Sequence, residues 1–204
     1  LLISTPRGKG WFYDLFRAGQ GNDASVKSWN CPSWSNPLLD PVVIEQERSR
    51  IPERVFRQEF GGEFIEGSGA VFRNVRDLAT GQWQERNRQD LYYGGLDLAK
   101  VEDFTVLAIV NRKGEVVFVD RFHRLDWGLQ VNRIRAALAR YDASVLVDST
   151  GSGEPIYESL CAADCYAQAY PFTAKSKAAL IDNLALMLEQ KLLVLPSPSI
   201  WPEG

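Results

Sequence analysis

Residues 91–110, LYYGGLDLAKVEDFTVLAIV, constrain this chain more than any other stretch. An apolar run, Leu91-Tyr92-Tyr93, passes through Gly94-Gly95 into Leu96-Asp97-Leu98. After a polar turn at 99–103, a β-branched and aromatic run resumes from Phe104 to Val110. Short apolar runs of this composition, broken by a polar turn, predict two strands of one hairpin. Asp97 breaks the pattern. A lone carboxylate between two leucines in a core strand carries a large desolvation cost unless a cation or donor lies beside it. Asp103, near the start of the second strand, returns toward Asp97 if the hairpin forms. A further acid, Asp148, closes the apolar run Val145-Leu146-Val147 ahead of the glycine-rich stretch STGSG. Two strand-end acids, with a third at the hairpin, are what a divalent-metal site needs.

The segments around this stretch predict an α/β architecture. Arg112-Lys113-Gly114 reads as a second hairpin turn, with a third strand at 116–122. Asp126 is a helix N-cap, and Trp127, Val131, Ile134, Leu138 and Tyr141 follow the helical period. A strand at 144–148 follows, then a helix with Pro155 in its first turn reaching about Ala163. Residues 166–171 read as a fifth strand and 175–191 as a third helix, with Leu192 to Leu195 as a short final strand. The order β-β-β-α-β-α-β-α predicts a mixed sheet with helices on both faces. This is the order of the ribonuclease H-like fold. There the first and fourth strands are neighbours, so Asp97 and Asp148 meet.

The first third of the chain is less informative. Leu1 to Ser4 reads as a short strand, and Pro6, Gly8 and Gly10 as a tight turn into a helix at Trp11 to Phe16. This corner is either a loop near a nucleotide phosphate or a plain strand-turn-helix connection. Residues 26–30 alternate weakly, as a strand does. Asp40-Pro41 starts a helix to about Ser49, and Pro52 starts another that Gly61-Gly62 ends. Arg50, Arg54 and Arg57 fall on one face. They form either a DNA-facing stripe or a solvated face with partners such as Glu53 to Arg57. Residues 80–90 are strongly polar and read as a linker. The expected division is 1–72, a connecting segment at 73–90, and an α/β domain at 91–204.

Composition narrows the chemistry. The chain has 204 residues and a net charge of −3, so any nucleic-acid contact must come from local basic patches. One histidine and three cysteines (Cys31, Cys161, Cys165) argue against a zinc site and for reduced thiols in a cytoplasmic setting. No apolar run approaches membrane-spanning length, and no GxxxxGK[ST] phosphate loop occurs. The opening LLIS without methionine and the closing LPSPSIWPEG read as the ends of a piece of something longer.

Five segments, in order, resemble the large terminase subunit of tailed bacteriophages, the motor and nuclease that packages viral DNA. ISTPRGKGWFYDLF is similar to its ATPase coupling motif, and VFRQEFGGEFIEGSGAVF to the segment joining ATPase and nuclease. GLDLAKVEDFTVLAIV and VLVDSTGSGEPIYESL resemble the first two acidic motifs of the nuclease, and FTAKSKAALIDNLALMLEQKLLVLP the helix-strand segment after them. The resemblance implies a ribonuclease H-like endonuclease that cuts concatemeric double-stranded DNA with two Mg²⁺ or Mn²⁺ ions. Asp97 would be the first metal-binding acid, Asp148 the second and Asp103 an auxiliary one. A further family aspartate would lie beyond Gly204 and the Walker motifs before Leu1, so ATP would be used only by the longer protein. The implied partners are DNA, the portal protein and the small terminase subunit, in the host cytoplasm. Thr105, Ser149 and Thr150 are candidate hydroxyl donors, and Lys175 and Lys177 candidate phosphate contacts. Two alternatives stay open: another ribonuclease H-like nuclease such as a junction resolvase, and a non-catalytic domain that grips DNA or docks on the portal.

Overall fold

The computed structural model describes residues 1–21, 25–65, 71–98, 104–150 and 154–201. These divide into two compact units. One comprises Leu1–Arg73 with Ile181–Glu189, the other Asn74–Leu180 with Gln190–Gly204.

The first unit is helical. Helix α1 (Trp11–Gly19) places Phe12, Tyr13 and Phe16 around the ring of Phe64, at centroid distances of 6.1, 5.0 and 5.2 Å. Helix α2 (Pro41–Arg48) starts where expected, with the Asp40 side chain accepting from the Val42 N–H. In α3 (Glu53–Glu59), buried Phe56 stacks between Trp34 and Phe60. The strands expected at 1–4 and 26–30 do not form. Their apolar side chains have no ladder to join among the described residues of this unit, and Leu1 and Ile3 stand in solvent. Arg50 binds Glu47 at 2.9 Å, Arg54 binds Asp182 at 2.5 Å and Arg57 binds Glu63 at 2.5 Å. Each arginine of the stripe is therefore matched by a carboxylate, and the partner of Arg57 is Glu63 rather than Glu53.

The second unit opens with helix α4 (Val75–Leu78) and strand β1 (Ala79–Gly81), inside the stretch expected to be a polar connection. Its main sheet has strands β2 (Tyr92–Asp97), β3 (Thr105–Asn111), β4 (Val116–Phe122), β5 (Ser144–Asp148) and β6 (Ala167–Tyr170). They lie in the order β4-β3-β2-β5-β6. The two hairpin pairs are antiparallel, whereas β2 runs parallel to β5 and β5 parallel to β6. Helices α5 (Trp127–Tyr141), α6 (Glu154–Ala162) and α7 (Ala174–Glu189) alternate with the last strands. A short strand, β7 (Leu195–Pro196), pairs in parallel with β1.

One face of the sheet is closed by α5 and α6. Tyr92 and Leu96 of β2, Leu107 and Ile109 of β3, and Val145 and Val147 of β5 pack there on Ile134, Leu138 and Tyr141 of α5 and Ile156 and Leu160 of α6. Gly94 leaves room for Val145 of the adjacent strand, because a Cβ at that position would stand 3.0 Å from Val145, with Leu138 of α5 at 3.4 Å. The β3–β4 turn is held by Asn111, whose Oδ1 accepts from the N–H groups of Lys113 and Glu115, both at 3.0 Å. Gly114 in this turn has φ +84°, and a Cβ there would lie 2.1 Å from the Leu192 carbonyl oxygen. Glycine is therefore required on both conformational and steric grounds. The opposite face is only partly covered, so the expectation of helices on both faces holds in a reduced form: α7 brings Leu180 to its edge.

Two outcomes follow for stability. Gly94→Val should lower unfolding free energy by about 1–3 kcal/mol through overpacking against Val145 and Leu138, read as a lower urea midpoint. The Tyr141 hydroxyl donates to the Gln84 carbonyl at 2.8 Å, and burial raises its phenol above the ordinary 10.0 against the opposing pull of Arg140. The native state thus keeps a proton that the unfolded chain releases first. This stabilisation is fully present below pH 10.0 and is lost as pH rises through the higher native value. Tyr141→Phe should flatten the alkaline fall in urea midpoint; an unchanged fall would contradict the assignment.

Candidate metal centre

Strand alternation decides which face each acid occupies. In β2, Tyr92, Gly94 and Leu96 are buried while Tyr93, Gly95 and Asp97 are exposed. In β5, Val145 and Val147 are buried, Leu146 is exposed and Asp148 is half-buried. Asp97 therefore points away from the core, onto the open face. The reading of Asp97 as a buried acid between leucines is corrected here: Leu96 enters the core and Leu98 stays half-buried, but the residue between them emerges in solvent because side chains alternate.

The parallel register brings the two acids together. Gly95 pairs with Leu146 and Leu96 with Val147. The next residues along, Asp97 and Asp148, end their strands side by side on the same face. Both line a cleft of about 430 Å³ with Gly95, Val106, Leu146, Tyr170, Phe172 and Leu180. Neighbouring strands lie about 5 Å apart, so two carboxylates at this level repel each other unless a cation lies between them. Among the described residues, neither acid forms an ion pair with lysine or arginine. Asp103 lies outside the described residues, and among those described no three His, Cys, Asp or Glu side chains cluster as a metal site.

Asp148 is oriented by its own turn. Its Oδ1 accepts from the Thr150 N–H at 2.8 Å, and Thr150 Oγ1 accepts from the Phe172 N–H at 2.8 Å. The Ser149 N–H donates to the Tyr170 carbonyl at 3.4 Å. The loop after β5 is thus tied to the loop after β6, and Thr150 acts as a tether. Thr105 is not at the site. It is 2% exposed on the opposite face, where its hydroxyl donates to Gln130 Oε1 at 3.2 Å. Lys175 and Lys177 are exposed in the first turn of α7, where Thr173 and Ser176 cap the helix reciprocally. Residue-type reasoning missed Gly95, which forms the floor of the cleft with open space at its Cβ position. It also missed the aromatic wall of Tyr170 and Phe172, whose rings meet edge to face at 5.9 Å. The period-two spacing of Gly95 and Asp97 was the available signal for the first.

The mixed sheet and its flanking helices are a ribonuclease H-like α/β fold. No protein-family model matches the chain. The large terminase subunit of Thermus virus P23-45 is 30% identical over 223 residues, covering 97% of this chain and 46% of the relative. The chain thus spans about half the length of the curated relatives it matches. The large terminase nuclease of thermophilic phage G20c, solved with bound zinc, matches 63% of this chain and 81% of its own, with 26% identity and TM-score 0.57. The same nuclease solved with magnesium matches at TM-score 0.59 and 24% identity, over 66% of this chain and 77% of its own. By sequence and by fold, the chain is a relative of the phage terminase large subunits.

Thr150→Val removes the acceptor of the Phe172 N–H and should cost about 1 kcal/mol of stability. Thr150→Ser keeps the oxygen and should cost less. Equal urea midpoints for the two variants would show that the tether contributes nothing.

Proposed function

We propose that this chain is the metal-dependent nuclease part of a DNA-packaging terminase, cutting concatemeric double-stranded DNA by phosphodiester hydrolysis with two Mg²⁺ or Mn²⁺ ions. The observation that carries this is the position of Asp97 and Asp148 one residue past the last paired residues of adjacent strands, on the open face of a chain related to terminase large subunits. The residues fit the metal. Two side-by-side carboxylates with no cationic partner among the described residues form an all-oxygen, doubly negative donor set that suits hard divalent cations. Asp97 and Asp148 would hold them, with Asp103 as the auxiliary acid. Such ions supply an activated water and stabilise charge on the leaving 3′ oxygen. The chain's own part is to hold both carboxylates level through the β2–β5 register, to fix the Asp148 rotamer through Thr150, and to leave space above Gly95 for a strand of DNA. The G20c nuclease was also solved with bound cobalt and with bound zinc.

Within the longer protein, residues 1–72 are proposed as the end of an ATPase domain with its connecting segment, 73–90 as the boundary, and 91–204 as nuclease. ATP hydrolysis, the portal protein and the small terminase subunit belong to that whole assembly, in the host cell cytoplasm.

Supercoiled plasmid incubated with Mn²⁺ or Mg²⁺ and the chain, alone and extended past Gly204, tests the proposal. Nicking should require the metal and fall at least about 100-fold in Asp97→Asn, since metal ligation supplies several kcal/mol of transition-state stabilisation. Cleavage that survives in Asp97→Asn, or that persists in a chelator, overturns it.

A further inference from the structure

Beyond the acids, the same face carries a basic and aromatic cluster at the same end of the sheet. Asp97 pairs with Val106, and Val106 pairs with Arg121. Residues directly opposite on antiparallel strands share a face. Arg121 therefore stands level with Asp97, two strands across. Its guanidinium lies over the ring of Phe104, 3.3 Å from the centroid. The exposed ring of His123 meets the same phenyl group at 4.5 Å. Among the described residues Arg121 forms no ion pair, in contrast to Arg133 and Arg140, which bind Asp120 and Glu85. On the other flank, Asp148 pairs with Tyr170. Across the open face one row reads Arg121, Val106, Asp97, Asp148, Tyr170.

We propose that Arg121, seated on Phe104 and flanked by His123, binds a backbone phosphate of the nucleic-acid strand that crosses this row. Stacking occupies the face of the guanidinium and leaves its N–H edge for hydrogen bonds, the geometry that suits a phosphate. Phe104 fixes the direction of that edge, so little side-chain freedom is lost on binding. Two strand spacings separate Arg121 from Asp97, about 10 Å. At about 3.4 Å of rise per nucleotide, the bound phosphate lies roughly three nucleotides from the scissile bond. Arg121 is thus a substrate-binding residue that sets where the strand lies over the acids. This rests on the nuclease reading of the acids, but its test does not need cleavage.

The test is fluorescence anisotropy of a labelled DNA duplex titrated with the chain in EDTA over a series of salt concentrations. Arg121→Ala should weaken binding about ten-fold and make the log–log salt slope shallower by about one. Arg112→Ala removes the same charge at the opposite end of the sheet and should leave both unchanged. Phe104→Leu, which keeps bulk but removes the stacking ring, should weaken binding a few-fold. Arg121 is exposed, so its variant should keep the wild-type urea midpoint. Wild-type cleavage together with equal binding by Arg121→Ala and Arg112→Ala overturns the phosphate contact while the nuclease reading stands. The Arg121 effect in a chain that never cuts plasmid, even when extended past Gly204 to include the further aspartate, supports the contact and overturns the nuclease reading. No DNA binding by the wild type overturns the phosphate contact, and the plasmid assay with metal decides the nuclease reading separately.

Discussion

The parallel pairing of β2 with β5 is the interaction on which the rest depends. It is fixed from the covered face of the sheet, where Leu96 and Val147 are 3% and 0% exposed and pack in one core with α5 and α6. Because side chains alternate, anchoring those two residues inward sends the next residue of each strand outward. A slip of one residue would drive a carboxylate into the core and a leucine into solvent, so burial specifies the register strongly. The position of the acids is thus a by-product of hydrophobic packing that they take no part in. Gly94 adds to this by making room for Val145 of β5, whereas Gly95, one residue on and facing the other way, leaves the floor of the cleft low.

The two faces then divide the labour. The covered face supplies stability through a continuous aliphatic and aromatic core, finished at its edges by Asn111 in the β3–β4 turn and the Thr105–Gln130 pair. The open face concentrates charge and exposed ring surface. Acids lie at its centre, arginine on phenylalanine to one side, and Tyr170 with Phe172 to the other. Among the described residues the two carboxylates have no lysine or arginine partner, and Asp148 is held only by the Thr150 N–H. Holding a hard divalent cation between them is the role proposed for this pair.

Much of this was legible in the sequence where periodicity and capping agree. The strands around Gly94-Gly95, the turn at Gly114, the Asp126-capped helix and the strand ending at Asp148 fall within a residue or so of expectation. The neighbouring positions of Asp97 and Asp148 followed from reading the element order as that of the ribonuclease H-like fold, in which the first and fourth strands are neighbours. Other features depend on partners that sequence does not name. Strand β1 is three polar or small residues and exists only because β7 pairs with it. Leu1 to Ile3 has strand composition but no ladder among the described residues. Glu63 rather than Glu53 holds Arg57, because the return of the chain after Gly61-Gly62 brings Glu63 within reach. Asp97 looked buried because its neighbours are leucines; the face it occupies is set by register, which a run of three residues does not reveal. Thr105 misled for the converse reason, being a hydroxyl near the acids in sequence yet on the opposite face of the sheet.

The central claim is that Asp97 and Asp148 form one cation site. The most direct measurement is an anomalous difference map from crystals of the chain soaked in Mn²⁺. The account predicts manganese within ligand distance of both carboxylates, at the ends of β2 and β5. Saturating Mn²⁺ with no peak there, or with the two carboxylates turned apart and separately hydrated, would contradict it.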